Sequence, residues 1–358
     1  MLRIDPLGPP ESTRTYVFSF DDKYAKYFSV ALQSLISHAR ADYLYDIIVL
    51  HDCVSQRNSS VLQGSIPGNF SLRFFNVGDL AREILIDLDA KVSHNRWDAS
   101  TFYALLVPLV MPEYERVIYC DSDLVFCDDS DELFRMSFEG MPLIAVRDTL
   151  GLALEFNPEW DYLVSQRAFI DESIGLSDLR GYFNGGVLLF NIPAIDADEY
   201  LARIKEAFCF PTLPTVDQDV LNYVFADRVT IAPQRFNVQV HLMDYVRPQE
   251  SSAELQEYLE AMRCPVIAHY TTSRKPWRYP DCWLAERFWL YARCSPYYES
   301  IIYENVLFAQ REAGARFSVK KLVKSGILSR VAIGRRRIQH KKEFDEQKRL
   351  YAIARWSL

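Results

Sequence analysis

The sequence predicts an α/β domain with a mixed, mainly parallel sheet, followed by a basic helical C-terminal tail. Three observations carry that reading. Short apolar runs rich in β-formers alternate with segments of helical period, the pattern of βαβ units. The 358 residues are 49% hydrophobic and 25% charged, a globular composition with length enough for one large core. The charge is unevenly placed. The net is −8, yet residues 316–358 carry 13 Lys/Arg against 3 Asp/Glu, so body and tail have different tasks.

Taken in order, "TYVFSF" (15–20) reads as the first strand. After it Tyr27, Val30, Ala31, Ser34, Leu35 and His38 recur at helical spacing. "YDIIVL" (45–50) and "LRFFNV" (72–77) are the next strands, and helical patterns cover 79–88 and 99–110. Further strands are expected at 116–120, "LIAV" (143–146), "GGVLLFNI" (185–192) and "VIAHY" (266–270). Residues 283–310 read as helical, interrupted near Pro296. With neither repeat nor low-complexity linker, the expectation is a lead (1–14), one domain (15–310) and a tail (311–358).

In the tail Leu322, Val323, Ile327, Leu328 and Val331 can share a helical face among Lys and Arg. Such a segment can lie in the interface of an anionic bilayer, although Gly326 and Gly334 weaken the helix. A solvated basic helix capping the domain is the plainer alternative. Nucleic acid is not an expected partner, because the body is acidic and carries no base-reading motif. "MLRIDPLGPPESTRTY" lacks a charged-then-apolar signal, and no apolar run approaches the roughly 18–20 residues of a membrane span. Seven cysteines without a C-x-x-C pair suit reduced thiols. The expected place is cytoplasmic, peripheral on the cytoplasmic face of a membrane if the tail binds one.

Within "RVIYCDSDLVFCDD" (116–129), Asp121 and Asp123 follow a buried-type strand directly. D-x-D pairs also occur at 87/89, 129/131, 196/198 and 217/219, so spacing alone says little. Position distinguishes this one. Ligands of parallel sheets bind beyond the carboxyl ends of the strands. Residues i and i+2 of an extended chain point to one side, so both carboxylates can face one ion, and hard oxygens suit Mn²⁺ or Mg²⁺. Asp21–Asp22 end another strand. "GYFNGGVLLFNI" sets Asn184 before two glycines, where backbone can approach a ligand closely. "VDQDVLNYVF" puts Asp217 and Gln218 at a helix start, and "IAHYTTSRKPWRY" puts His269 after a strand with Lys275–Pro276–Trp277 behind it.

In this order and spacing, "FSFDDKYAKYFSVALQSL", "RVIYCDSDLVF", "YFNGGVLLFN", "DQDVLN", "RFN" (235–237) and "HYTTSRKPW" resemble glycosyltransferase family 8 over about three quarters of the chain. These are retaining nucleotide-sugar transferases, including bacterial lipopolysaccharide galactosyl- and glucosyltransferases and the glycogenins. The resemblance implies a single Rossmann-like nucleotide-sugar-binding domain of GT-A type. It implies a hexose moved from UDP-glucose or UDP-galactose to a glycan acceptor: lipopolysaccharide core, a lipid-linked oligosaccharide or a protein-bound glycan. It further implies that Asp21 contacts the uridine, that Asp121, Asp123 and His269 hold the metal, and that Lys275 contacts the diphosphate. Asp148, Asn184, Asp217 and Gln218 would surround the transferred sugar. Asp217, Gln218 and Asp148 are the candidate catalytic residues, and an imidazole ligand favours Mn²⁺ over Mg²⁺.

The chain departs from the family pattern in three places. Ala104 stands where an arginine that helps hold the donor is usual, with Arg96 one possible substitute. Thr272 replaces a glycine near the diphosphate, and Lys23 replaces an asparagine after the first aspartates. A degenerate nucleotide-sugar-binding protein is therefore one alternative. A self-glycosylating enzyme in the glycogenin manner is another, with 21 tyrosines available as acceptors.

Overall fold

The apolar runs are buried on both faces because they lie side by side in one sheet. In the computed structural model, which describes residues 2–85, 99–246, 252–316, 319–331 and 335–355, seven strands form that sheet. They are β1 (Thr13–Ser19), β2 (Leu44–His51), β3 (Phe70–Asn76), β4 (Arg116–Cys120), β6 (Leu143–Arg147), β7 (Phe183–Asn191) and β8 (Val229–Ala232), in the order β3-β2-β1-β4-β7-β6-β8. Neighbours run parallel except at β7, which is antiparallel to both β4 and β6. Alternation along the strands divides the core in two. Val17, Ile48, Val117, Tyr119 and Leu188 join one apolar cluster, and Phe18, Ile47, Ile118, Cys120 and Leu189 join the other. Helices on both faces exclude water from both clusters, as a parallel sheet requires.

Chain order reverses where β1 meets β4, Phe18 lying opposite Cys120. This is the switch point at which such sheets open a crevice. A second sheet, β5-β10-β9, stands beside it: β5 (Leu124–Phe126), β9 (Val238–Gln239) and β10 (Ile267–His269), with His269 paired to Leu124.

The expected strands are all present, within two residues at each end in most cases. The helix expected at 99–110 is a correction: Ala99–Leu106 winds as a 3₁₀ helix and only Val107–Val110 is α-helical. Phe102 to Val107 are buried on every side. No solvent face stabilises a regular amphipathic helix there, and Pro108 removes a backbone donor. The helix read at 79–88 spans Gly78–Ile84 and is capped by Leu85, and 86–88 lie outside the described residues.

The chain divides into two compact units, Met1–Lys275 with Asp281–Tyr297, and Pro276–Pro280 with Tyr298–Leu358. The second contains helices Tyr298–Arg316, Val319–Val331 and Arg335–Arg355, the last packed on the other two. Among the described residues no helix is long and apolar enough to cross a membrane.

Candidate active site

The D-x-D segment is the link between the two sheets. Where β4 ends, the Asp121 amide donates to the Gly186 carbonyl (2.9 Å), and the Asp123 carbonyl accepts from the Tyr270 amide (3.0 Å). Tyr119 donates its hydroxyl to Asp121 Oδ1 at 3.2 Å. Register in the second sheet then delivers the histidine: His269 Nε2 lies 3.1 Å from Asp123 Oδ1 and 3.4 Å from Asp121 Oδ2. One ligating atom from each of the three residues falls within 4.8 Å of the others. Lys275 Nζ closes the cluster on Asp123 Oδ2 and also donates to the Tyr270 carbonyl.

A fourth residue orients the imidazole. His269 Nδ1 donates to Asn237 Oδ1 at 2.9 Å, which turns Nε2 towards the two carboxylates. Burial disfavours the charged imidazole, but Asp123 and the hydrogen bonds to Asp121 and Asp123 outweigh it and raise the pKa to about 9. Burial likewise opposes ionisation of Asp123, yet Lys275 and His269 hold its carboxyl far below the usual range. The donor set fits a divalent cation. Two carboxylates and one neutral imidazole, backed by a fixed outer hydrogen bond, are what Mn²⁺ accepts readily, and the imidazole releases its proton on ligation. Gly186 keeps the space open: a Cβ there would sit 2.2 Å from His269 Cε1 and 2.7 Å from Asp121 Oδ2.

Asn237 also donates to Asn184 Oδ1 (2.8 Å) and so links the metal-type cluster to a second one. Asn184 Nδ2 donates to Gln218 Oε1 (2.9 Å) and Asp148 Oδ2 (3.2 Å), and Gln218 Nε2 donates to Asp148 Oδ2 (3.1 Å). Gln218 Oε1 also accepts from the Gly185 amide at 3.0 Å. Asp217 begins the helix Asp217–Val224 and is buried. Burial, then the nearby Asp121 charge, push its carboxyl well above the ordinary range. Val216 before it holds φ +60°, a conformation costly for a β-branched residue.

The structure therefore joins Asp121, Asp123, His269 and Lys275 in one cluster and Asp148, Asn184 and Gln218 in another. Asp21 lies on the loop after β1, where its carboxylate accepts from the Tyr24 amide (2.9 Å). Ser122 Oγ donates to the Ser19 carbonyl (3.0 Å), tying that loop's strand to the D-x-D segment. Sequence reasoning quoted "RFN" without giving Asn237 a role; its place straight before β9 was the available signal. Ala104 is fully buried within the apolar core, closed to any donor contact, and Arg96 lies outside the described residues. Thr272 holds φ +65°, the left-handed region that glycine enters freely.

A Rossmann-like sheet with an acidic pair at its switch point, a facing histidine and a lysine is the layout of a nucleotide-sugar transferase of GT-A type. The glycosyl transferase family 8 model matches residues 15–281, and the chain belongs to that family. It is 24% identical over 253 residues to a lipopolysaccharide 1,3-galactosyltransferase of Salmonella typhimurium, covering 69% of this chain and 70% of the relative. To the Escherichia coli lipopolysaccharide glucosyltransferase WaaO it is 24% identical over about half of each chain. Among solved structures, the WbbM bifunctional glycosyltransferase aligns with TM-score 0.70 and 26% identity over 85% of this chain and 53% of its own. The present chain thus spans about half of that protein. The galactosyltransferase LgtC, solved with donor and acceptor sugar analogues, aligns with TM-score 0.59 and 24% identity over 79% of this chain and 96% of its own.

Proposed function

We propose that the chain is a metal-dependent, retaining hexosyltransferase that moves glucose or galactose from its UDP-sugar to a glycan acceptor of the lipopolysaccharide-core type or another surface-glycan precursor. The observation that carries this is the closed cluster Asp121–Asp123–His269–Lys275 at the switch point, joined through Asn237 to Asp148, Asn184 and Gln218.

Asp121, Asp123 and His269 would hold Mn²⁺ (or Mg²⁺), which when bound supplies Lewis-acid stabilisation of the departing diphosphate. Lys275, paired with Asp123 beside that set, would offer a counter-charge to the same diphosphate. Asp21, on the β1 loop, is positioned for the nucleoside. Asp148 and Asn184 bind hydroxyls of the hexose. Gln218, fixed by three hydrogen bonds, and Asp217 line the face from which a cation-like anomeric carbon is stabilised. Burial, before the Asp121 charge, raises the Asp217 carboxyl, which suits it to donate a hydrogen bond at that face.

The second unit suits attachment to a bilayer. Val323, Ile327 and Ile338 are 54%, 57% and 60% exposed, and Lys321 and Lys324 beside them are exposed too. Apolar side chains amid lysines are what an anionic interface takes up.

The test is UDP release from UDP-glucose and UDP-galactose with Mn²⁺ and with EDTA. Release from one donor, lost with EDTA, is expected. Tight binding of a UDP-sugar without release, in folded protein supplied with acceptor glycans, would instead make the chain a nucleotide-sugar-binding protein. A hexose increment in intact mass would mark self-glycosylation.

A further inference from the structure

Most large rings of the first unit are buried, but one group is not. Trp160 and Tyr162 are 42% and 53% exposed. Trp160 meets Tyr162 (centroids 6.0 Å apart, planes at 49°) and Tyr245 (5.4 Å, 47°), and Tyr245 meets the His241 ring edge-on at 6.2 Å. Tilted rings leave faces open to solvent. Exposed aromatic rings in contact with one another offer a surface on which a ligand with an apolar face can stack.

Their position says which ligand. From the Asp121–Asp123 cluster, hydrogen bonds pass through His269, Asn237 and Asn184 to Asp148, which ends that chain of contacts. The Leu150 amide donates to Asp148 Oδ1 (2.8 Å), and the short helix Leu150–Phe156 that begins there leads to Trp160. On the other side His241 Nδ1 shares a hydrogen bond of 2.5 Å with Thr271 Oγ1, two residues from His269. Tyr162 is near enough to Asp219 and Asp148 for their charges, added to burial, to raise its phenol pKa. The rings therefore begin where the sugar-binding cluster ends.

A nucleotide has its place at the other end, and a bilayer would need a broader apolar face without carboxylates behind it. A pyranose fits. One side of its ring is a sheet of C–H bonds that stacks on aromatic faces, while hydroxyls reach rim groups such as partly exposed Asp244. We propose that Trp160, Tyr162 and Tyr245 form a stacking platform for a hexopyranose ring of the acceptor, holding it beside Asp148. The inference rests on the transferase reading and adds to it the residues that select the acceptor.

The experiment is saturation-transfer NMR on the full chain with UDP and Mg²⁺. The probes are methyl β-D-glucopyranoside, methyl β-D-galactopyranoside, lactose, maltose and octyl β-D-glucopyranoside. Expected is a signal on ring C–H protons of at least one sugar, reduced at least about fivefold in Trp160→Ala and Tyr162→Ala and retained in Tyr162→Phe. In turnover assays the same alanine variants should raise acceptor KM about five- to tenfold and move donor KM less than about twofold. An undiminished signal in the alanine variants overturns the platform. So does a signal from the octyl chain alone, which would make the rings a seat for an apolar aglycone. No sugar signal from a chain that still releases UDP overturns the platform and spares the transferase; no signal and no UDP release removes both.

Discussion

The two aspartates of the D-x-D pair belong to one candidate ligand set but stand in different surroundings. The Asp121 side chain is 37% exposed, whereas that of Asp123 is 15% exposed and pairs with both His269 and Lys275. Asp121→Asn removes a ligand from a partly hydrated position. It should cost at least about a hundredfold in metal-dependent UDP release while shifting the melting temperature by less than about 2 °C. Asp123→Asn leaves buried Lys275 without its anion and His269 with Asp121 alone, and breaking such a pair costs about 3–5 kcal/mol. That variant should lose both activity and stability. Thermal melts beside UDP-release assays check the contrast, and equal melting temperatures would disprove the assigned pairing. Asn237 shows the reach of one amide: it sets the histidine tautomer through Oδ1 and holds Asn184 of the second cluster through Nδ2.

At the scale of elements, the 3₁₀ helix Val240–Asp244 brings His241 among charges from several directions. Asp148 at the end of β6, Asp244 on its own turn, His269 on β10 and Lys275 on the following loop all act on it, and burial acts most strongly. The pKa falls from 6.5 to about 4. In the unfolded chain the imidazole takes its proton near pH 6.5, and in the fold it resists until about pH 4. Between those values the unfolded state binds more protons, so stability drops as pH falls through that window and is unaffected by this group above it. Urea melts between pH 7 and 4.5 should show His241→Gln losing less stability with acid than the parent chain. Parallel slopes would count against a neutral, half-buried His241.

For the whole molecule, the charge division of the sequence becomes a division into two compact units. The full chain should co-sediment with phosphatidylglycerol vesicles but not phosphatidylcholine vesicles, and about 0.5 M salt should release it. Val323→Glu with Ile327→Glu replaces two exposed apolar residues and should weaken vesicle binding at least about tenfold, with UDP release unchanged. Unaltered sedimentation of this variant would leave the tail a solvated basic helix.

Sequence alone determined the longer strands and their alternation with helices, because the periods of burial are written in it: runs such as Ile47–Leu50 can be stable only where both faces are covered. It also determined the family, since the D-x-D, N-G-G, D-Q-D and H-x₅-K stretches are local. Tertiary structure decided what those stretches do together. β5 and β9 have three and two residues, too few to show a period, and exist only because β10 pairs with them. That pairing sets His269 against Asp121 and against Asp123, the latter across 146 residues of chain. Asn237 acquired a role, and Ala104 a buried place, by the same means. Hydrogen bonds and packing between distant segments leave no pattern within either segment, so only the folded chain displays them.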